Sequence, residues 1–171
     1  TGKYENSPYY ELLNGTWKFY YTDSYLNLPA DITSPEVSTE GWHDIKVPGN
    51  WEVQGFGTAI YTNHGYEFQP RNPQPPLLPE KNPVGVYRRD ITVPSEWKDR
   101  DIYLHIAGAK SGCYVYLNGK EVWRENSPQD SGIHEKIPDI QKWREAGKSR
   151  YTKRISAFGK PGKSGRNHFK I

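Results

Sequence analysis

A chain of 171 residues is long enough for one domain with a substantial core. Its 14 prolines and 16 glycines, beside 13 tyrosines and 6 tryptophans, favour short strands joined by many turns over a helical bundle. The net charge of +3 hides an asymmetry: residues 1–122 carry 11 basic and 15 acidic side chains, while residues 123–171 carry 12 basic and 5 acidic. A shift of that kind marks a domain boundary, a tail or a segment of different origin. No stretch approaches the ~18 apolar residues of a membrane-spanning helix, so no membrane partner is expected. With Thr1 first and no methionine anywhere, the natural start is expected upstream.

In chain order, strand signals dominate the first 122 residues. Trp17, Phe19 and Tyr21 alternate after the Asn14-Gly15 turn, and Ile45 and Val47 repeat the pattern before Pro48. Tyr87, Ile91 and Val93 share one face of Gly85–Val93, with Arg89 the exception on that face. Ile102, Leu104 and Ile106 alternate with Tyr103 and His105, and Cys113, Val115 and Leu117 alternate with Tyr114 and Tyr116. This is the period-2 signature of half-buried antiparallel strands. Asn118-Gly119 then predicts a two-residue hairpin, because a type I′ turn needs positive φ at both central positions.

Between Pro48 and Pro83 the character changes to a long loop rich in aromatic residues, closing with six prolines in Pro70–Pro83. Proline removes donors and fixes φ, so this stretch is no central strand, and a loop of such length is usually functional or disordered. Its aromatic density argues for order. After Trp123 the alternation fails; Asp139–Arg144 reads as a turn of helix, Lys148–Ala157 as a strand, and Gly159–Lys170 as disordered.

The chemistry-bearing side chains are weighed against plainer roles. His43, His64, His105, His134 and His168 show no ligand spacing, so no metal site of the chain's own is expected. Cys113 sits inside an apolar alternation and reads as a buried small hydrophobe. Carboxylates are plentiful, but a retaining glycosidase needs two of them about 5–5.5 Å apart. Nothing here resembles the barrel of about 250 residues that carries such a pair in many glycosidases. Solvated surface carboxylates are therefore the reading, and no catalytic residue is assigned. Aromatic rings line sugar sites and fill β-sandwich cores alike. Trp17, Tyr87 and Trp97 read as core, whereas for Tyr61, Tyr66 and Phe68, on the long loop, both roles stay open.

Five blocks then carry a resemblance. Leu13–Phe19 (L-N-G-T-W-K-F), Val47–Gly57 (V-P-G-N-W-E-V-Q-G-F-G), Ile60–Asn63 (I-Y-T-N), Glu80–Arg89 (E-K-N-P-V-G-V-Y-R-R) and Val115–Val122 (V-Y-L-N-G-K-E-V) follow one another over residues 8–122. In that order they resemble the N-terminal domain of family 2 β-galactosidases. The resemblance implies an all-β fold, an antiparallel jelly-roll β-sandwich, ahead of an immunoglobulin-like domain and a barrel with two catalytic glutamates. It implies that the Tyr-Thr-Asn loop reaches the active site and that Asn63 contacts bound galactose. An amide, with two donors and an acceptor, suits adjacent hydroxyls.

The implied parent cleaves terminal β-D-galactosides with retention, is a homo-oligomer, and uses magnesium and sodium held largely outside this chain. The chain alone, cut off before the barrel, is expected to hydrolyse nothing. The family's later aspartate motif, which contacts sugar and sodium, has no counterpart in residues 123–171. That segment is read as a basic, family-unlike tail: diverged, truncated or translated in a shifted frame, with the shifted frame favoured. It also leaves two expectations for the C-terminal end of the sandwich, complete or incomplete. A free-standing carbohydrate-binding module is the alternative. Nucleic-acid binding by the basic tail is disfavoured, because few aromatics stand ready to stack bases.

Overall fold

The computed structural model describes residues 6–58, 81–97, 100–108, 113–125, 133–136, 151–159 and 168–170. Among these, regular structure consists of strands and three single-turn 3-10 helices. The strands are β1 (Gly15–Thr22), β2 (His43–Val47), β3 (Val84–Val93), β4 (Tyr103–Gly108), β5 (Cys113–Leu117), β6 (Lys120–Glu125), β7 (Ile133–Lys136), β8 (Tyr151–Gly159) and β9 (His168–Lys170). They form a six-stranded sheet in the order β2-β1-β3-β8-β5-β6 and a three-stranded sheet in the order β7-β4-β9. Pairing between the strands is antiparallel throughout.

The alternation read from sequence is the alternation that packs. Trp17 and Phe19 of β1, Ile45 and Val47 of β2, Tyr87 and Ile91 of β3, and Cys113, Val115 and Leu117 of β5 all point into one core. Leu104 and Ile106 of β4 enter the same core from the smaller sheet, so the two sheets face each other as a sandwich. Asn118 and Gly119 take φ of 51° and 81°, the positive values the β5–β6 hairpin demands. Trp97 is buried as expected, its indole N–H donating to the Pro8 carbonyl at 3.2 Å. The Trp17 indole likewise donates to Leu13 O at 2.8 Å.

Arg89, the exception on the apolar face of β3, crosses above the Trp17 ring and donates to the carbonyls of Leu13 and Asn14 at 2.8 and 3.2 Å. Its charge satisfies the strap that leads into β1, and its stem covers apolar surface.

The opposite face of the larger sheet is also covered, which alternation alone does not predict. Val84 and Val86 pack with Ile32, and Tyr20, Leu28, Trp42, Tyr114 and Tyr116 close around them. At the centre lies Arg88, 2% exposed. Its guanidinium donates to Val37 O at 2.7 Å, to Ser34 O at 3.2 Å and to Ile32 O, and it lies 4.8 Å from the centre of the Trp42 ring. A side chain from β3 thereby holds the irregular segment between β1 and β2 against the sheet.

Beyond residue 122 the structure adds strands. Tyr151–Gly159 covers most of the strand read over Lys148–Ala157 and runs between β3 and β5, in register with both. The segment carries Tyr151, Thr152, Ile155 and Phe158, residue types that favour strands. His168–Lys170, inside the stretch read as disordered, pairs with β4 as β9. Asp139–Arg144 and the rest of Gly159–Lys170 past β8 lie outside the described residues.

Candidate functional site

The long loop leaves β2 through Pro48–Thr58 and returns to β3 through Lys81–Pro83, and both roots are built tightly. Trp51, 4% exposed, folds back over the start of β3. Its ring lies against Gly85, where any side chain would collide with it and would also approach Phe19 Cε2 to 2.7 Å. Trp51 and Phe56 flank the β1 aromatics: Phe19 lies 5.9 Å from Trp51 and 4.8 Å, edge-on, from Phe56, while Tyr21 meets Trp51 edge-on at 5.8 Å. Tilted and edge-to-face rings at these separations are the favoured aromatic contacts. Trp51 is therefore core, and its conspicuous motif position reflects packing of the loop root.

The glycines of this block have separate tasks. Gly55 ends the 3-10 turn Glu52–Gln54 with φ of 96°, and its N–H returns to Glu52 O. That left-handed conformation strains any residue with a Cβ. Gly57, at φ 70°, lies under the Tyr21 hydroxyl, which would stand 2.6 Å from a Cβ there. The Tyr21 phenol has its pKa raised, first by burial and then by the charges of Asp23 and Glu52, so it holds its proton and acts as a neutral hydroxyl at the loop's edge.

At the returning root, Asn82 is 0% exposed, and among the described residues its amide oxygen and nitrogen have no hydrogen-bond partner. Its backbone forms an isolated bridge with Ser24 just past β1.

Of the residues that the sequence pointed to, Asn63, Tyr61, Tyr66, Phe68 and His64 lie on the loop outside the described residues. The described residues of that loop are its two roots, 48–58 and 81–83. Among the described residues, no group of three or more His, Cys, Asp or Glu stands where it could hold a metal ion. Sequence reasoning missed Gln54, whose side chain bonds to the backbone of β2; a contact from side chain to main chain leaves no periodic trace.

Comparison with known proteins agrees with this frame. Residues 10–161 match the model for "Glycosyl hydrolases family 2, sugar binding domain", a span that runs past residue 122 and includes β8. The chain is similar to the β-galactosidase of Priestia megaterium, 39% identical over 120 residues, and to that of Psychromonas ingrahamii, 36% identical over 127. These matches cover 69% and 74% of this chain but 12% of each enzyme, so the chain spans about an eighth of the length of those relatives. The Yersinia pestis β-galactosidase matches over 156 residues at 33% identity, 84% of this chain and 13% of that enzyme.

Among solved structures, the Ruminococcus gnavus β-glucuronidase covers 91% of this chain and 22% of its own, with a TM-score of 0.59 at 15% identity. A Bacteroides uniformis β-glucuronidase 2 variant covers 87% and 14%, with a TM-score of 0.57 at 19% identity. At such identities the likeness is one of fold. By the sequence match over residues 10–161, the chain belongs to the family 2 glycosyl hydrolases, as their sugar-binding domain.

Proposed function

We propose that this chain is the N-terminal carbohydrate-binding domain of a longer β-galactosidase that hydrolyses terminal β-D-galactosides, and that its long loop lends Asn63 to the galactose subsite. The observation that carries the reading is the pairing of family membership with relatives that are β-galactosidases, of each of which the match covers 12%. A domain occupying that share of an enzyme acts by shaping a site completed elsewhere. The rigid root built from Trp51, Phe56, Gly57 and Gly85 supports it, since a substrate-contacting loop works only from a fixed base.

In this reading the amide of Asn63 donates to and accepts from galactose hydroxyls, and the two carboxylates of retaining hydrolysis come from the barrel. Magnesium and sodium belong to that remainder as well, and no step of the reading runs through residues of this chain bound to either ion. The parent is a homo-oligomer.

The test is Asn63→Ala in the full-length enzyme. A net hydrogen bond of roughly 0.5–1.5 kcal/mol, stronger where the transition state draws on it, predicts a fall in kcat/KM of about tenfold with unchanged thermal stability. A variant of normal stability and unchanged kcat/KM shows that Asn63 only shapes the loop.

A further inference from the structure

Among the described residues β2 is an edge of the six-stranded sheet, and an edge strand presents backbone donors and acceptors with no strand to meet them. At Lys46 one side chain meets both. Gln54 Oε1 accepts from the Lys46 N–H at 2.7 Å, and Gln54 Nε2 donates to the Lys46 carbonyl at 3.0 Å. A carboxamide carries the donor and acceptor of a peptide group, so Gln54 supplies one rung on the side of β2 away from β1. The same Nε2 reaches the Asn50 carbonyl at 3.3 Å. Gly49 is the clearance this needs, because a Cβ there would stand 2.8 Å from Gln54 Nε2 and 3.0 Å from the Lys46 carbonyl oxygen. Gly49 and Gln54 are thus two parts of one latch, nine residues ahead of Asn63 at its Gln54 member.

We propose that Gln54 is a positioning residue for the galactose subsite. It latches the outgoing root of the long loop onto β2, so that Asn63 is presented in place before the sugar arrives. The proposal rests on the reading of Asn63 given above. A loop freed at its root is competent to bind for a smaller fraction of the time, and the apparent affinity falls by that fraction while the bound complex is unchanged. Loss of the latch therefore appears in KM and leaves kcat in place. A residue that only caps a sheet edge has no such signature.

The experiment uses the full-length galactosidase with Gln54→Met, which keeps length and removes the amide, and Gln54→Glu, which keeps the acceptor and loses the donor at neutral pH. Each is made alone and combined with Asn63→Ala, and a chromogenic galactoside is the substrate. Hydrogen exchange at the Lys46 amide, which among the described residues Gln54 protects on that side of β2, reports whether the latch is open. We expect faster exchange at Lys46 in Gln54→Met, a KM raised about fivefold and a kcat within about twofold of the parent. Gln54→Glu gives a smaller rise of the same kind. On the Asn63→Ala background, Gln54→Met adds nothing further, because both changes act through one contact.

Faster Lys46 exchange with KM unchanged in both single variants overturns the proposal. So does a KM rise of equal size in the presence and absence of Asn63, which assigns Gln54 to edge capping. A silent Asn63→Ala instead sinks the galactose contact itself, and the role of Gln54 with it.

Discussion

Replacing Arg88 with methionine removes a guanidinium that ties the segment between β1 and β2 to the outer face of the sheet. The side chain is 2% exposed, donates to three carbonyls and lies beside Trp42, while methionine keeps much of the aliphatic bulk. Three hydrogen bonds from a charged donor, at about 1.5–3 kcal/mol each, set a gross loss of about 4.5–9 kcal/mol. Two terms reduce it. Ser34 and Val37 are only half-buried, so water reaches their carbonyls in part, and removing a buried cation recovers its desolvation cost.

The net loss is about 2–4 kcal/mol, which for a domain of this size lowers Tm by about 5–15 °C. Calorimetry measures the drop, and limited proteolysis reads whether residues 28–40 become the cleavage site. Arg88→Lys restores the charge but cannot span three carbonyls from one nitrogen, so it recovers only part of the loss. Both variants melting within about 2 °C of the parent, a difference below 1 kcal/mol, refutes the claim that this guanidinium holds the segment.

Three further outcomes are expected. The purified chain, assayed on a chromogenic galactoside with magnesium and sodium present, gives no turnover above a heat-killed control; turnover contradicts the reading of a domain that completes a site elsewhere. Ending the chain after Ser127 removes β8 from between β3 and β5 and abolishes the cooperative thermal transition; a sharp transition that survives makes residues 123–171 the dispensable tail their charge implies. Gly85→Ala drives a methyl into the Trp51 ring and towards Phe19, a case of overpacking that costs about 1–3 kcal/mol in denaturant unfolding, and an unchanged midpoint refutes the close stacking of the loop root.

The inner face of the sandwich was legible because alternation and burial are the same physical fact: Trp17, Phe19, Tyr87, Cys113 and Val115 repeat every second residue and share one core. The outer face was not legible. Ile32, Leu28 and Trp42 come from an irregular segment with no period, and the keystone of that face is Arg88, a residue type that reads as solvent-facing. β8 was half-legible. Its strand-favouring residues were visible, but the excess of Lys and Arg around them set the segment apart from the sandwich.

At the site, the order of the five motif blocks pointed to the family and to Asn63 through resemblance. Their internal logic needed coordinates. Gly49 is small because Gln54 passes over it, Gly57 because Tyr21 does, and Gly85 because Trp51 does, and each pairing joins positions that no local pattern relates.

A crystal structure of the full-length protein with a galactose-like inhibitor bound tests whether Asn63 reaches the galactose subsite, through the distance from the Asn63 amide to the sugar hydroxyls. A substrate-contacting Asn63 makes at least one hydrogen bond of about 2.7–3.2 Å, with the loop seated in the mouth of the barrel. An Asn63 amide facing solvent or its own domain, more than roughly 6 Å from the inhibitor and so beyond even a single bridging water, contradicts that contact.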